Sequence, residues 1–384
     1  MKKVVILQHR LLHYRTNLFE QLRRSCFERG IELHLVHGQA SRRESVKKDV
    51  GTLPWAHVVK NRFLEVGERD IVWQPYPAEL HDADLVVVMQ ESRILSNYSL
   101  LLNRLWSGRK VAYWGHGANF QSDAPSGLRE QWKRMMLKQV DWWFAYTGMT
   151  RDIVLSNGYP KEKITVLDNA IDNERFIADL ASISAEELSR IRTELDLTDT
   201  GKLGLFCGSL YPDKKLEFMI RAAENIHNTI PGFRLVVIGD GPSGVELKKL
   251  IENKAWIHWI GVRKGLEKAA YFKLADVILN PGLVGLHIVD AFCAGAPMFT
   301  TNNARHSPEI AYLEHGINGF VLPDDPVVYA EEVAGFLLDT SRMEVAKKAA
   351  LASAKIYTLE NMVANFVVGI ESCLKSGIPV PKST

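Results

Sequence analysis

The sequence has little cysteine. Its 384 residues include four cysteines, Cys26, Cys207, Cys293 and Cys373, which are scattered without a CxxC pair. Two of them, Cys207 and Cys293, lie inside apolar runs. This spacing argues against a zinc site and against a disulfide framework. It indicates reduced, buried thiols in a cytoplasmic protein.

Long hydrophobic runs are also missing. The apolar stretch that follows Lys3 is interrupted after a few residues by Gln8, His9 and Arg10, so we expect no signal peptide. The most apolar long window, residues 277–299, contains Asn280 and further polar residues, prolines and glycines. It does not read as a membrane span.

Charge of one sign is not in excess. The 47 Lys and Arg residues nearly balance the 45 Asp and Glu residues, leaving a net charge of +2. We therefore expect no nucleic-acid partner. A GxGxxG motif is absent after the first predicted strand, where QHRLLHYR stands, which disfavours a nicotinamide dehydrogenase. Asp82 and Asp84 precede a strand and resemble loop residues, so no carboxylate pair predicts a metal site.

Short β-branched runs alternate with helical patterns along the whole chain. This alternation is typical of parallel sheets built from βαβ units, and it predicts an α/β protein. We expect two Rossmann-like domains that face each other across a cleft, at residues 1–180 and 181–357. A helical segment at residues 358–384 either finishes the second domain or crosses back to complete the first.

Three strand ends in the second half carry glycine-rich turns. They are GSLYPDKK at residues 208–215, GDGP at residues 239–242, and PGLVGLHIVDAFCAGAP at residues 281–297. A glycine at a strand exit lets the backbone approach a ligand, and the helix that follows favours an anion. Each turn alone is typical of an ordinary strand-to-helix connection. The three together predict a nucleotide-diphosphate site.

This ordered set resembles the donor-binding domain of family 4 glycosyltransferases, which have the GT-B fold. The resemblance covers roughly residues 166–320 and includes GV at residues 261–262 and SPEIAYLEHGINGF at residues 307–320. It implies a set of donor-binding residues. These are Gly208, Ser209, Lys214, Gly239, Gly241, Val262, Arg263, Gly282, Leu283, Val284, Gly285, Leu286 and Asp290.

The sequence departs from the family pattern at three positions. Ser209 replaces the usual arginine, so Lys214 alone carries over as the cation for the diphosphate. Gly282 stands where the first acid of the E-x7-E motif is expected, and Asp290 replaces the second. The resemblance implies that Asp290 binds the ribose and that backbone amides of a G-x-V-G-L loop replace the missing acid.

The resemblance implies a retaining transfer of a sugar from a nucleotide-diphosphate donor, uridine-linked, to a hydroxyl of a glycan or a lipid-linked acceptor. We expect no metal and no cofactor, since the nucleotide sugar is a substrate. The reaction would belong to polysaccharide or glycolipid synthesis. Two alternatives remain: a nucleotide-sugar-binding protein without turnover, and a nucleotide-sugar epimerase.

Two groups of residues in the first half are candidates for the reacting end of the site. His116 lies between two glycines at a strand exit, at the position that the resemblance places near the reacting sugar carbon, so we expect His116 and Lys214 to be catalytic. The alternative for His116 is that it is a turn residue that caps the next helix. Arg10, Tyr14, Arg15 and Glu91 are candidate acceptor contacts, with a solvated loop as the alternative.

Basic and aromatic residues also suggest a membrane surface. Residues 1–50 carry eleven Lys and Arg against five Asp and Glu, and the segment 128–144 mixes basic residues with Trp132, Met135 and Trp142. This pattern predicts peripheral contact with the inner face of the membrane. The alternative is that the aromatic residues belong to the core.

Overall fold

The fold was analysed in a computed structural model, which describes residues 1–47, 49–67, 69–117 and 128–377. The chain forms two compact units. The first contains Met1–Ile171 together with Leu359–Thr384, and the second contains Asp172–Thr358.

The first unit is built on a parallel sheet of seven strands, in the order β3-β2-β1-β6-β7-β8-β9. The strands in chain order, including a separate antiparallel hairpin β4-β5, are β1 Lys2–Arg10, β2 Ile31–Gly38, β3 His57–Val58, β4 Arg62–Val66, β5 Arg69–Trp73, β6 Leu85–Met89, β7 Lys110–Gly115, β8 Trp142–Ala145 and β9 Ile164–Val166. The helices in this part of the chain are α1 Thr16–Phe27, α2 Ser96–Ser107, α3 Leu128–Leu137 and α4 Gly148–Ser156.

The second unit contains a parallel sheet of six strands, in the order β12-β11-β10-β13-β14-β15. These strands are β10 Leu203–Cys207, β11 Arg234–Ile238, β12 Ile257–Gly261, β13 Val277–Leu279, β14 Met298–Thr301 and β15 Gly319–Leu322. Its helices are α5 Glu174–Ser182, α6 Ala185–Glu194, α7 Leu216–Thr229, α8 Gly244–Ile251, α9 Gly265–Leu274, α10 His287–Ala294, α11 Pro326–Leu338 and α12 Thr340–Ala354.

Continuous apolar strands explain why both sheets are buried on two faces. Strand β6 reads LVVVM and strand β11 reads RLVVI, and the apolar residues at the centre of each are almost fully buried. Parallel sheets need helices on both faces, so their strands are apolar throughout and do not alternate. The apolar strand pattern in the sequence therefore correctly predicts parallel sheets that are covered by helices on both faces.

The last helix, α13 (Leu359–Lys375), belongs to the first unit. It packs on α1, and its Phe366 ring stacks on Phe144 with the centroids 4.5 Å apart and meets Trp114 edge-on at 5.1 Å. Gly369 permits this approach because a Cβ there would press on Phe144 and Thr165. The helical periodicity of residues 358–375 thus continues the core of the first sheet.

The chain passes from one unit to the next after Ile171, nine residues before the predicted boundary at 180. The difference lies in α5, which belongs to the second unit because Phe176 packs edge-on against Phe272 at 5.4 Å. The hairpin β4-β5 and the short strand β3 were not predicted. Leu64 and Val66 of β4 are exposed, so this hairpin leaves no buried apolar pattern to find.

Among the described residues, no helix combines the length and the apolar character needed to cross a bilayer.

Candidate functional site

The order of the second sheet places the first and third glycine-rich turns side by side. Strand β10 lies between β11 and β13, so the strand order reverses direction there. Ligands of open α/β sheets bind beyond the carboxyl ends of strands at such a reversal. The turns after β10 and β13 are Gly208–Lys215 and the loop at residues 280–286, and they are in direct contact: the Leu283 amide donates to the Asp213 carbonyl at 2.8 Å.

Lys214 is a buried cation at this point. Its residue is 4% exposed, and its ammonium donates to the carbonyl of Leu283. Within the described part of the chain, no carboxylate lies within ion-pair distance of it. Burial lowers the pKa of Lys214 from about 10.5 to about 8. A buried ammonium without a carboxylate partner is suited to an incoming anion, because the anion restores the interactions lost with water.

The loop at residues 281–286 is held mainly through its carbonyl groups. The hydroxyl of Thr301 donates to Pro281, and that of Thr300 donates to Gly282, at 2.7 and 3.2 Å. The side-chain amide of Asn280 donates to Gly282 and Leu283. Asn280 and both threonines are almost fully buried, so the loop shape is fixed from below.

Two amides of the same loop have no acceptor. No described residue accepts a hydrogen bond from the N–H of Gly285 or Leu286, which precede helix α10. The N-terminus of a helix carries a partial positive charge. Lys214 and these two amides therefore place positive charge and hydrogen-bond donors around one loop, as a diphosphate requires.

Gly282 is required by the packing of the backbone. A Cβ built on Gly282 would collide with the carbonyl of Asp213 and with the backbone of Lys214. The resemblance marks Gly282 only as the position of the missing family acid. The structure explains the glycine, because the neighbouring turn already occupies that space.

The GDGP turn packs against the turn after β10, and its two glycines are required by backbone packing, as Gly282 is. Gly239 and Gly241 have φ angles of 138° and 158°, and a Cβ on either would collide with the carbonyls of Gly208 and Leu210 respectively. The Trp259 indole also donates to the Gly239 carbonyl at 2.9 Å. Close packing of the backbone thus explains why both residues are glycine. Their predicted contact with the donor stays a prediction.

Asp290 forms a buried ion pair that the sequence did not reveal. Its Oδ2 lies 2.7 Å from Nζ of Lys268, whose ammonium sits over the ring of Phe176 at 4.6 Å. Burial raises the pKa of Asp290, and the pKa of Lys268 is also raised, because the attraction of Asp290 outweighs burial. Lys268 thus holds this carboxylate in place. The contact of Asp290 with a ribose stays a prediction.

Two histidines near the loop were also missed. His287 is the first residue of α10, and its Nε2 is buried with no partner among the described residues. Burial, with Lys214 and Lys268 nearby, lowers its pKa well below the ordinary value. His306 accepts a hydrogen bond from the Val284 amide at 3.1 Å. His287 follows the loop directly in the sequence but belongs to no spacing rule, and His306 reaches the loop only through the fold.

The remaining predicted donor contacts lie at the surface. Ser209 is exposed, and Val262 is 54% exposed after the positive-φ residue Gly261. The guanidinium of Arg263 lies 3.5 Å from the Glu267 carboxylate and donates to the Val262 carbonyl. These residues are accessible, and their binding role stays a prediction.

In the first unit, His116 lies at the exit of β7 with its ring 4.4 Å from that of Tyr146. Burial lowers its pKa to about 4, so the ring is neutral near pH 7. Glu91 and Arg15 are close enough to act on that pKa. Gly117 donates its amide to the Gln90 side chain at 3.1 Å. Residues 118–120 of the GHGANF segment lie outside the described residues, so the helix-capping alternative stays open.

The candidate acceptor residues separate into two groups. Arg10 pairs with Asp49, and Glu91 pairs with Arg93 at 2.7 Å. Arg93 also binds Glu44 at 2.9 Å, which makes this region an ionic network at the strand ends. Sequence reasoning missed Arg93 and Glu44 because neither belongs to a motif.

Arg15 has a structural role that conflicts with the prediction. It is 6% exposed, donates to the side chain of Asn169 at 2.6 Å and to the carbonyl of Ala170 at 3.3 Å, and contacts the sulfur of Met362. These partners occupy the guanidinium inside the unit, so it braces the α13 contact and does not face an acceptor. Tyr14 is 37% exposed and remains a candidate.

The segment at residues 128–144, which was predicted to touch a membrane, contains both exposed and buried aromatic residues. Trp132 and Met135 of α3 are 49% and 48% exposed, whereas Trp142 is a core residue of β8. The side chains of Arg129, Lys133 and Arg134 lie outside the described residues. Part of the aromatic pattern is therefore core and part is surface.

Within the described ranges, no group of three or more His, Cys, Asp or Glu side chains is arranged to hold a metal ion.

Comparison with known proteins agrees with this geometry. Residues 201–339 match the family model for glycosyl transferases group 1. The alpha-monoglucosyldiacylglycerol synthase of Acholeplasma laidlawii is 25% identical over 163 residues, which is 41% of this chain and 40% of that protein. The chain thus matches less than half the length of this curated relative.

Solved structures share the fold over nearly the whole chain. Anabaena HepE in complex with UDP has a TM-score of 0.70 and 15% identity, and covers 97% of this chain and 100% of its own. A putative UDP-N-acetylglucosamine 2-epimerase from Listeria monocytogenes has a TM-score of 0.61 and 14% identity, and covers 97% and 96%. The fold alone therefore does not separate transferases from epimerases. The chain therefore has the GT-B fold, and residues 201–339 of its second unit match the family model for group 1 glycosyl transferases.

Proposed function

We propose that this protein is a retaining glycosyltransferase that moves a sugar from a uridine-diphosphate donor to a hydroxyl of a glycan or a lipid-linked acceptor. The observation that carries the proposal is the buried Lys214 beside the loop whose Gly285 and Leu286 amides find no acceptor among the described residues. The family of residues 201–339 supports sugar transfer, and the UDP complex of Anabaena HepE supports a uridine nucleotide. The relative that makes a glucosyl lipid supports a lipid-linked acceptor.

The proposed chemistry requires stabilisation of a leaving group. The bond between the anomeric carbon and the phosphate oxygen breaks, the acceptor oxygen bonds to that carbon, and the proton of the acceptor hydroxyl passes to the departing diphosphate or to water. Negative charge grows on the diphosphate during this step. Lys214 and the two amides would stabilise it in a site already shaped for it, which is the largest single source of rate enhancement in many enzymes. With these donors in place, we propose that the protein needs no metal and no cofactor.

The test is a panel of nucleotide sugars. Each donor is screened for thermal stabilisation, because a ligand that binds the folded state raises its melting temperature by mass action. The donors that bind are then incubated with glycan and lipid-linked acceptors, and the product linkage is assigned by NMR.

Transfer with an α-linked product from an α-linked donor would support the proposal. Binding without product would favour a nucleotide-sugar-binding protein. Conversion of the free donor into its epimer, without an acceptor, would favour the epimerase alternative.

Peripheral membrane contact remains part of the proposal for a lipid-linked acceptor. Exposed Trp132 and Met135 on α3 support it, because tryptophan favours the interface between lipid and water. Flotation with anionic vesicles tests it. A Trp132→Ala, Met135→Ala variant should float less than the wild type.

A further inference from the structure

The glycine-rich loop is attached to strand β14 through the ring of His306. Nδ1 of the ring accepts a hydrogen bond from the Val284 amide at 3.1 Å, and Nε2 lies 2.8 Å from the carbonyl oxygen of Thr301. The two nitrogens of one ring thus join the loop to the end of the neighbouring strand.

These partners assign the protonation state of the ring. A carbonyl oxygen can only accept, so Nε2 carries a hydrogen. An amide can only donate, so Nδ1 carries none. His306 therefore makes both bonds as the neutral Nε2–H tautomer. An imidazolium could not accept the Val284 amide.

Val284 is held from both sides by the same segment. Its carbonyl accepts the Ser307 amide at 3.0 Å, while its amide binds His306. Its side chain is fully buried. The next two residues are Gly285 and Leu286, whose unpaired amides are the proposed donors to the diphosphate. The position of Val284 therefore sets the direction of these amides.

We propose that His306 is a positioning residue for the nucleotide-sugar donor, which in its neutral form fixes Val284 so that the Gly285 and Leu286 amides point toward the diphosphate. The inference rests on the proposed function.

The surroundings of the ring favour its neutral form. Burial lowers the pKa of His306, and the nearby ammonium groups of Lys215 and Lys214 lower it further, while the Thr301 carbonyl opposes the shift. His287 is the other titratable group that faces it. Because the pKa of His306 lies below the ordinary value of 6.5, the ring is mainly neutral at pH 7 and above, where the bond to Val284 can form.

The test compares three variants. His306→Asn keeps one acceptor and one donor on its side-chain amide, whereas His306→Leu removes both and keeps the apolar bulk. His315→Leu is the matched control, because His315 accepts the Val321 amide through the same kind of bond away from the loop. Melting temperatures confirm that each variant is folded.

The readouts are uridine diphosphate affinity by calorimetry at pH 7.5, and deuterium uptake of the peptide that covers residues 281–290. We expect about tenfold weaker binding and faster uptake in His306→Leu, as for the loss of two hydrogen bonds. His306→Asn should bind within about threefold of wild type at pH 7.5, because its side-chain amide keeps one acceptor and one donor. His315→Leu should match the wild type.

Wild-type affinity and unchanged uptake in His306→Leu would overturn the inference and leave the proposed function standing. Equal losses in His306→Leu and His315→Leu would also overturn it, because a general loss of stability would explain both. A wild-type protein that binds no nucleotide diphosphate and transfers no sugar would instead remove the proposed function itself.

Discussion

Replacing Lys214 by methionine should make the protein more stable and nearly inactive. Burial lowers the Lys214 pKa from about 10.5 to about 8, which corresponds to roughly 3 kcal/mol against the charged form. The hydrogen bond from the Lys214 ammonium to the Leu283 carbonyl offsets about 1.5 kcal/mol of this cost. Methionine keeps the length and the apolar contacts but carries no charge. We therefore expect the free energy of unfolding to rise by about 1 to 2 kcal/mol at pH 7.

Turnover should fall by about thirtyfold or more in the same variant, since one preorganised donor to a developing charge contributes roughly 2 to 4 kcal/mol. Lys215→Met is the matched control. Lys215 pairs with Asp324 at 2.7 Å near the surface, so its loss should change stability by less than about 1 kcal/mol and leave turnover within a few-fold.

The pH dependence provides a second check on Lys214. Because its folded pKa is below its unfolded pKa, the unfolded chain binds more protons between pH 8 and pH 10.5, so the contribution of this residue to stability rises with pH across that window. A bound diphosphate should return the pKa toward 10.5. At pH 8 the wild type should therefore take up about half a proton when it binds uridine diphosphate, measured by calorimetry in buffers of different ionisation enthalpy.

Lys214→Met should show no such uptake. Wild-type turnover in this variant, or uptake that persists without the lysine, would refute the assignment of Lys214 to the diphosphate.

The remaining predictions concern other parts of the proposed site. Gly282→Ala should lower the free energy of unfolding by about 2 kcal/mol because its Cβ collides with the Asp213–Lys214 backbone, whereas Gly285→Ala, whose Cβ meets nothing closer than 3.8 Å, should change it by less than about 0.5 kcal/mol in denaturant titrations. Asp290→Asn should cost about 3 to 5 kcal/mol in the same assay because it leaves a buried ammonium unpaired, and Asp290→Glu should retain part of that stability. If Asp290 also binds the ribose, the asparagine variant should lose a further 1.5 to 3 kcal/mol in nucleotide affinity by calorimetry, and unchanged affinity would exclude that contact. His116→Ala should lower kcat and kcat/KM together in steady-state assays, and an unchanged kcat would exclude a role in the transition state. Activity should survive excess chelator, and its loss with recovery on adding Mn²⁺ would contradict the metal-free proposal.

The strands and the covering helices of both units could be predicted because parallel sheets leave a strong local pattern. Strands β10 and β11, which read LGLFC and RLVVI, carry this pattern. Each is a short apolar segment bounded by a charged residue or a glycine. The hairpin β4-β5 could not be predicted in this way, because apolar residues of β4 are exposed and leave no buried pattern in the sequence. Its two strands are held by pairing with each other.

The candidate site was predictable only where glycine and lysine mark a strand exit. Gly208, Lys214 and Gly282 carry such a signal, and the structure brings all three together in the second unit. Lys268, His287 and His306 carry none. Lys268 reaches Asp290 from α9, and His306 reaches Val284 from the segment after β14, so both contacts depend on tertiary packing, whereas His287 simply follows the loop in the chain. Arg15 shows the opposite error, because a cationic residue beside a predicted loop proved to be a buried brace.

The return of α13 to the first unit has a consequence for synthesis on the ribosome. Trp114 and Phe144 lack their Phe366 partner until the final helix has left the exit tunnel. The second unit contains all of its own elements once Thr358 has emerged. A chain arrested at that point would therefore hold a complete second unit, while the unit made first would still expose an apolar sheet face to chaperones. The order of completion is the reverse of the order of translation.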